Sequence, residues 1–70
     1  MRKKDLEKEI QEAIKSKPSN WRDGQFVFNY IDAKYRVARD VQYIDNVDCF
    51  FLDKKIDDFI EKCAERIKNS

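Results

Sequence analysis

The chain has no histidine, one glycine and one proline among its 70 residues, and only two cysteines. Without histidine it lacks the side chain that most often serves as a general base or a metal ligand near neutral pH. A single glycine and a single proline leave little of the turn chemistry that short paired strands require. These shortages argue against an enzyme built on a nucleophile and a base, and they favour helices over a multi-stranded fold.

Long apolar runs are missing as well. The longest run, residues 49–52, is far shorter than the roughly 20 residues that a membrane-spanning helix needs. Two cysteines in a chain without an apolar leader indicate free thiols in a reducing compartment. We therefore expect a cytoplasmic protein that has no membrane partner.

The charges nearly balance, with 15 basic and 14 acidic residues and a formal net charge of +1. This balance removes the broad positive field typical of proteins that bind nucleic acids or membranes. A chain of 70 residues that is 41% hydrophobic and 41% charged predicts one small domain with a heavily charged exterior. We expect residues 1–70 to form this domain, with residues 1–4 frayed.

Helical periodicity is clearest at the two ends of the chain. Residues 4–15 predict one amphipathic helix, whose apolar positions are Leu6, Ile10, Ala13 and Ile14. The most regular apolar stripe belongs to the last predicted helix and comprises Ile56, Phe59, Ile60, Cys63, Ala64 and Ile67. Asp53 precedes this stripe and is predicted to cap its helix.

The middle of the chain permits two interpretations. Residues 16–20 predict a break, after which Asn20 is expected to cap a second helix with Gly24 in its first turn. Residues 25–35 fit a helix or a strand, and we favour the helix; residues 36–44 predict a short third helix. The fold class is therefore all-α, a bundle of three to four helices. The alternative is α+β, with a short hairpin around residues 41–51 that turns at Asp45 and Asn46.

One combination of residues resembles a pattern found in small bacterial and phage-encoded proteins. The matching residues are Trp21, Arg22, Gly24, Gln25, Phe28, Asn29, Val37, Ala38, Asp48, Phe50, Asp53, Ile56 and Phe59. The likeness covers about residues 21–60, and the chain departs from it at Cys49 and Phe51, where proline and tyrosine are common. The resemblance implies a small helical protein from a phage or other mobile element, and it carries no catalytic residue onto this chain.

The same region supplies the candidate interaction surface. On a helix, Arg22, Gln25 and Asn29 share a face beside Trp21. Residues 50–52 are three consecutive large apolar residues and cannot all point inward, so part of this turn is expected to stay exposed. The predicted surface consists of Trp21, Arg22, Gln25, Asn29, Phe50 and Phe51. The alternative is structural: the amides of Gln25 and Asn29 bond to the following loop while Trp21 fills the core.

Three other clusters favour structural roles. The acidic residues between Asp45 and Asp58 lack the glycine and the closing glutamate of a calcium loop, so we assign them to capping and to solvated charge. Cys49 and Cys63 have no neighbouring base and are expected to be inert thiols. The lysines of the first helix alternate with glutamates, as on an ordinary solvated helix face.

These observations predict a small non-catalytic protein-interaction module. Its partner is expected to be another protein or a second copy of the chain, and no cofactor, metal or small-molecule substrate is expected. The alternative is a regulator that binds nucleic acid through a helix-turn-helix-like corner between the second and third helices. The near-neutral net charge disfavours that alternative.

Overall fold

The computed structural model describes residues 1–50 and 52–67, and these residues form helices without any strand. The four α-helices are α1 (Lys3–Ala13), α2 (Asp23–Tyr35), α3 (Ala38–Tyr43) and α4 (Ile56–Ile67). Short 3-10 turns occupy Ile14–Ser16 and Asp53–Lys55. The all-α prediction is confirmed. The hairpin alternative is wrong for residues 41–50, because α3 occupies their first part and irregular backbone follows it; Phe51 lies outside the described residues.

Helix α1 lies against α4 through its thin apolar stripe. Leu6 and Ile10 are buried in the core, as their spacing predicted. The first residues also make contacts with α4: the amino terminus of Met1 donates to the carbonyl of Ala64 at 3.5 Å, and Lys3 pairs with Asp57 at 3.1 Å. That residues 1–4 fray stays a prediction.

Helix α2 begins three residues later than the predicted cap. Asn20 is exposed in a turn that is closed by the hydrogen bond from the Trp21 amide to the Pro18 carbonyl. Arg22, in an extended conformation, occupies the N-cap position without a side-chain cap. The prediction that Asn20 caps the helix is therefore wrong, because this turn is completed before the helix starts. Gly24 lies in the first turn, as predicted.

Asp53 has a different role from the predicted one. The last helical segment begins with the 3-10 turn that contains Asp53, and Leu52 holds the N-cap position before it. The carboxylate of Asp53 accepts a hydrogen bond from the amide of Gly24 at 3.0 Å. Asp53 therefore stabilises the start of α2, and the prediction that it is the cap residue of the last helix is wrong. The apolar stripe of α4 is confirmed.

The core is one cluster of buried side chains drawn from all four α-helices and from Cys49. At its centre the ring of Phe28 stacks on Phe59 at 5.5 Å and meets the edge of Phe50 at 5.6 Å. These contacts join α2, α4 and the segment between α3 and α4. No described helix is long and apolar enough to cross a membrane.

Candidate interaction surface

The segment after α3 lies directly against the first turn of α2 at Gly24. The Gly24 amide donates to Asp53 Oδ1, and the thiol of Cys49 donates to the Gly24 carbonyl at 3.4 Å. A Cβ atom on Gly24 would lie 1.9 Å from the carbonyl oxygen of Cys49. No side chain fits in that gap. The single glycine of the chain therefore allows Cys49 and Asp53 to lie directly against the start of the helix.

A second set of contacts holds Phe50 beside this junction. The guanidinium of Arg22 donates to the Phe50 carbonyl at 3.2 Å. The Phe50 amide donates to Asp48 Oδ1 at 2.8 Å, while Gln42 donates to the other oxygen of Asp48 at 3.0 Å. Two of the predicted surface residues, Arg22 and Phe50, are thus brought together although they are far apart in the sequence.

Trp21, Gln25 and Asn29 are all half-buried near the start of α2. Gln25 and Asn29 are one helical turn apart and lie side by side on the helix surface. Neither amide group forms a hydrogen bond with any residue in the described part of the chain. The structural alternative, in which these amides bond to the following loop and Trp21 fills the core, is wrong. The remaining predicted surface residue, Phe51, lies outside the described residues.

Both cysteines are buried and free. Burial, reinforced by the carboxylate of Asp48, raises the pKa of the Cys49 thiol to about 12. Burial also raises the pKa of the Cys63 thiol to about 12. Since the thiolate is the nucleophilic form, these environments suppress the reactivity of both residues.

Most of the acidic residues of the middle region contact other parts of the protein. Asp45 accepts two hydrogen bonds from the guanidinium of Arg66, at 2.9 and 3.2 Å, and these bonds lower the pKa of the Asp45 carboxyl below its ordinary value. Among residues 1–50 and 52–67, no group of three or more acidic or cysteine side chains is arranged to hold a metal ion.

A polar cluster between α1 and α2 was not expected from the sequence. The carboxylate of Glu9 accepts hydrogen bonds from the hydroxyls of Tyr30 and Tyr35, each at 2.6 Å, and from Lys34 at 2.5 Å. Burial of Glu9 opposes ionisation, but the three donors outweigh it and hold the pKa of Glu9 below its ordinary value. The partners are more than twenty residues apart in the chain, so helical spacing alone gave no signal for this cluster.

Two basic residues at the corner between α2 and α3 lie near carboxylates. Lys34 is paired with Glu9, and Arg39 lies 3.9 Å from the carboxylate of Asp32. Helix α3, which would have to enter a groove of the nucleic acid, has six residues. The nucleic-acid alternative stays a prediction, and the geometry of this corner adds nothing in its favour.

A groove on the side of α2 that faces away from Gln25 and Asn29 was also not predicted from the sequence. It lies between α1, α2 and the first turns of α4, and its volume is about 390 Å³. We call it the acidic groove. Its apolar lining is formed by Ile10, Ile14, Val27, Ile56 and Ile60, and its rim carries Glu7, Asp23, Asp53, Asp57 and Lys54. The lining residues of α1 and α4 belong to the predicted apolar stripes, and their spacing did not show that a groove opens between them.

Comparisons with known proteins found no match for this chain among family models, curated proteins or solved structures.

Proposed function

We propose that this protein is a small non-catalytic protein-interaction module of the cytoplasm, derived from a phage or other mobile element. The contact surface in this proposal is the predicted one: Trp21, Arg22, Gln25, Asn29, Phe50 and Phe51. The resemblance of residues 21–60 to small bacterial and phage-encoded proteins supports the origin. Two free, buried thiols support a reducing compartment.

The observation that carries the proposal is the pair of amide side chains at Gln25 and Asn29. Both are attached to a regular helix, so their positions are fixed before any partner arrives. Each amide group has two donors and an acceptor, and none of these is used within the described part of the chain. Amide groups without partners in the chain can bond to a partner protein without breaking any bond in the chain, which favours their use in an interface.

The aromatic residues beside these amides suit the same role. Trp21 is half-buried at the start of α2, and Phe50 is held near it by Arg22 and Asp48. Tryptophan and arginine are enriched among the residues that dominate binding energy in protein interfaces. A half-buried tryptophan beside two amides that have no partner in the described part of the chain is a suitable centre for such an interface.

Site-specific crosslinking in the native cell tests this function. A photoreactive amino acid at position 29 is expected to give a discrete covalent adduct with one protein, and Trp21→Ala is expected to abolish that adduct. The same amino acid at position 12, which is exposed on α1, serves as the matched control and should not give it. If position 29 gives no adduct, or the same adducts as position 12, the proposed surface is wrong.

Light scattering over a range of protein concentrations distinguishes the two kinds of partner. If the measured mass of the unmodified protein rises to that of a dimer while the Gln25→Ala, Asn29→Ala double variant stays monomeric, the partner is a second copy. A concentration-independent monomer together with a heterologous crosslinked adduct identifies another protein.

A further inference from the structure

We infer that the acidic groove is a second docking surface, which binds a basic amphipathic helix of a partner protein. This inference concerns different residues from the surface proposed above and does not depend on it. The groove is separated from Gln25 and Asn29 because Asp23 and Val27 line it from another side of α2. Two surfaces on one small chain would allow it to hold two partners together.

The apolar lining sets what the groove accepts. Ile10, Val27 and Ile60 are buried and form its floor, whereas Ile14 and Ile56 are half-buried and form its walls. A volume of about 390 Å³ lies near the lower end of the roughly 300–1,000 Å³ of small-molecule pockets, so the groove has room for the anchoring side chains of a helix and not for the helix itself. Large apolar side chains that project one turn apart from an amphipathic helix are the usual occupants of such grooves.

The charge on the rim determines which sign of charge the partner helix must carry. Four carboxylates and one lysine border the groove. Asp57 and Asp23 are already paired with lysines of this chain, at 3.1 and 3.7 Å. Glu7 and Asp53 form no salt bridge in the described part of the chain, and they lie on different elements that border the groove. Glu7 attracts Lys3 only at longer range, and the Gly24 amide occupies one oxygen of Asp53, Oδ1. Lysine or arginine residues that flank the apolar anchors of a partner helix would pair with these two carboxylates.

A second copy of this chain does not meet these requirements. Helices α1 and α4 bury their apolar stripes in their own core. The exposed large apolar side chains of the described residues are Tyr43 at 77%, Ile44 at 68% and Leu52 at 48%. They do not project one turn apart from a single helix, because Tyr43 and Ile44 are adjacent at the end of α3 and Leu52 precedes the second 3-10 turn. The described part of a second copy therefore offers no matching helix face, and the occupant is another protein.

Selection from a display library of random peptides of about four helical turns tests the inference with the intact protein. Peptides that bind are expected to carry two large apolar residues three or four positions apart, flanked by lysine or arginine. When a selected peptide is added to the isotope-labelled protein, the chemical shifts of Ile14, Ile56 and Glu7 should change. No enrichment, or peptides with acidic flanks, would overturn the proposal.

Charge-reversal variants provide a matched test. Glu7→Lys is expected to weaken binding of a selected peptide about fivefold to tenfold, since an attractive exposed pair becomes a repulsive one. Glu12→Lys changes the net charge equally on the same helix but lies outside the groove, so it should leave binding unchanged. Equal effects of the two variants would show that only overall charge matters and would refute the groove. The Gln25→Ala, Asn29→Ala variant should bind the peptide normally, whether or not the other surface is functional.

Discussion

Gly24 and Cys49 touch through their backbones, with so little space between them that a Cβ atom on Gly24 would lie 1.9 Å from the carbonyl oxygen of Cys49. The same glycine donates its amide to Asp53 and accepts from the Cys49 thiol. An amide in the first turn of a helix has no partner within the helix, so a carboxylate from elsewhere in the chain is an effective cap. This junction holds Asp53, which lies on the rim of the acidic groove, against the first turn of α2, the helix that carries Gln25 and Asn29 of the predicted surface.

Replacing Gly24 by alanine is therefore expected to destabilise the fold, although alanine normally favours helices. A helical Gly→Ala change usually stabilises by about 0.5–1 kcal/mol. Here the added methyl group must displace the backbone at Cys49, and we expect a net loss of roughly 3 kcal/mol in the free energy of unfolding. Urea denaturation followed by circular dichroism measures this loss.

Ala33→Gly is the matched control, because Ala33 is exposed on the same helix. It should destabilise by about 1 kcal/mol, as glycine does at an ordinary helical position. If Gly24→Ala proved as stable as the unmodified protein, the close approach of Cys49 would be refuted.

The cluster around Glu9 is expected to make stability depend on pH. Removing the charge in Glu9→Gln should lower the free energy of unfolding by about 2 kcal/mol near neutral pH, because hydrogen bonds to a charged acceptor are strong. The pKa of Glu9 in the folded protein lies below its ordinary value of 4.5. Its stabilising effect is therefore complete above that ordinary value and is lost as the pH falls through the folded pKa.

Urea denaturation of both proteins between neutral pH and pH 3 checks this expectation. The difference between the unmodified protein and Glu9→Gln should shrink as the pH falls. Glu12→Gln removes an equally charged residue from α1, where the pair with Lys15 is exposed, and should change stability by less than about 0.5 kcal/mol. A pH-independent difference for Glu9→Gln would contradict the assigned cause.

Arg36 ends α2 in the left-handed conformation, at a φ of 60°. Residues with a Cβ atom lose about 1 kcal/mol in this conformation, and glycine does not. Arg36→Gly is therefore expected to raise the free energy of unfolding by about 1 kcal/mol. Arg36→Ala keeps the strain while removing the arginine side chain, so it separates the two effects in the same thermal or urea measurement. A gain in both variants would mean that the arginine side chain, not the backbone, is responsible.

The two thiols should be almost unreactive in the folded protein. A pKa near 12, against an ordinary 9.0, leaves about a thousandfold less thiolate at a given pH. Ellman's reagent should modify neither Cys49 nor Cys63 in the native protein on the timescale of minutes, and should modify both rapidly in denaturant. Fast native modification of one thiol, assigned by mass spectrometry, would show that its segment is exposed.

The helices could be predicted from the sequence because their stability comes from apolar stripes of regular spacing. The stripe of α4 predicted its buried face, and the spacing of Leu6 and Ile10 predicted that of α1. The secondary structure of residues 25–35 was harder to predict, since Phe26, Phe28 and Tyr30 also alternate as in a strand. The scarcity of turn residues decided between these alternatives correctly.

The ends of the helices could not be predicted in the same way. Asn20 and Asp53 both have good capping chemistry, but only the folded chain shows that Asp53 caps α2 from the far side of the junction. The Glu9 cluster depends on how α1 and α2 pack together, which local periodicity does not contain. The predicted surface was partly accessible to sequence analysis, because the helical spacing of Gln25 and Asn29 places them together wherever the helix packs.

The most direct test of this structure is the backbone NMR spectrum around Gly24. The structure predicts helical Cα shifts for residues 23–35, a Gly24 amide that exchanges slowly with solvent, and nuclear Overhauser effects between Gly24 and Cys49. Extended Cα shifts across residues 25–35, or a rapidly exchanging Gly24 amide without contacts to Cys49, would contradict the junction and both surfaces that depend on it.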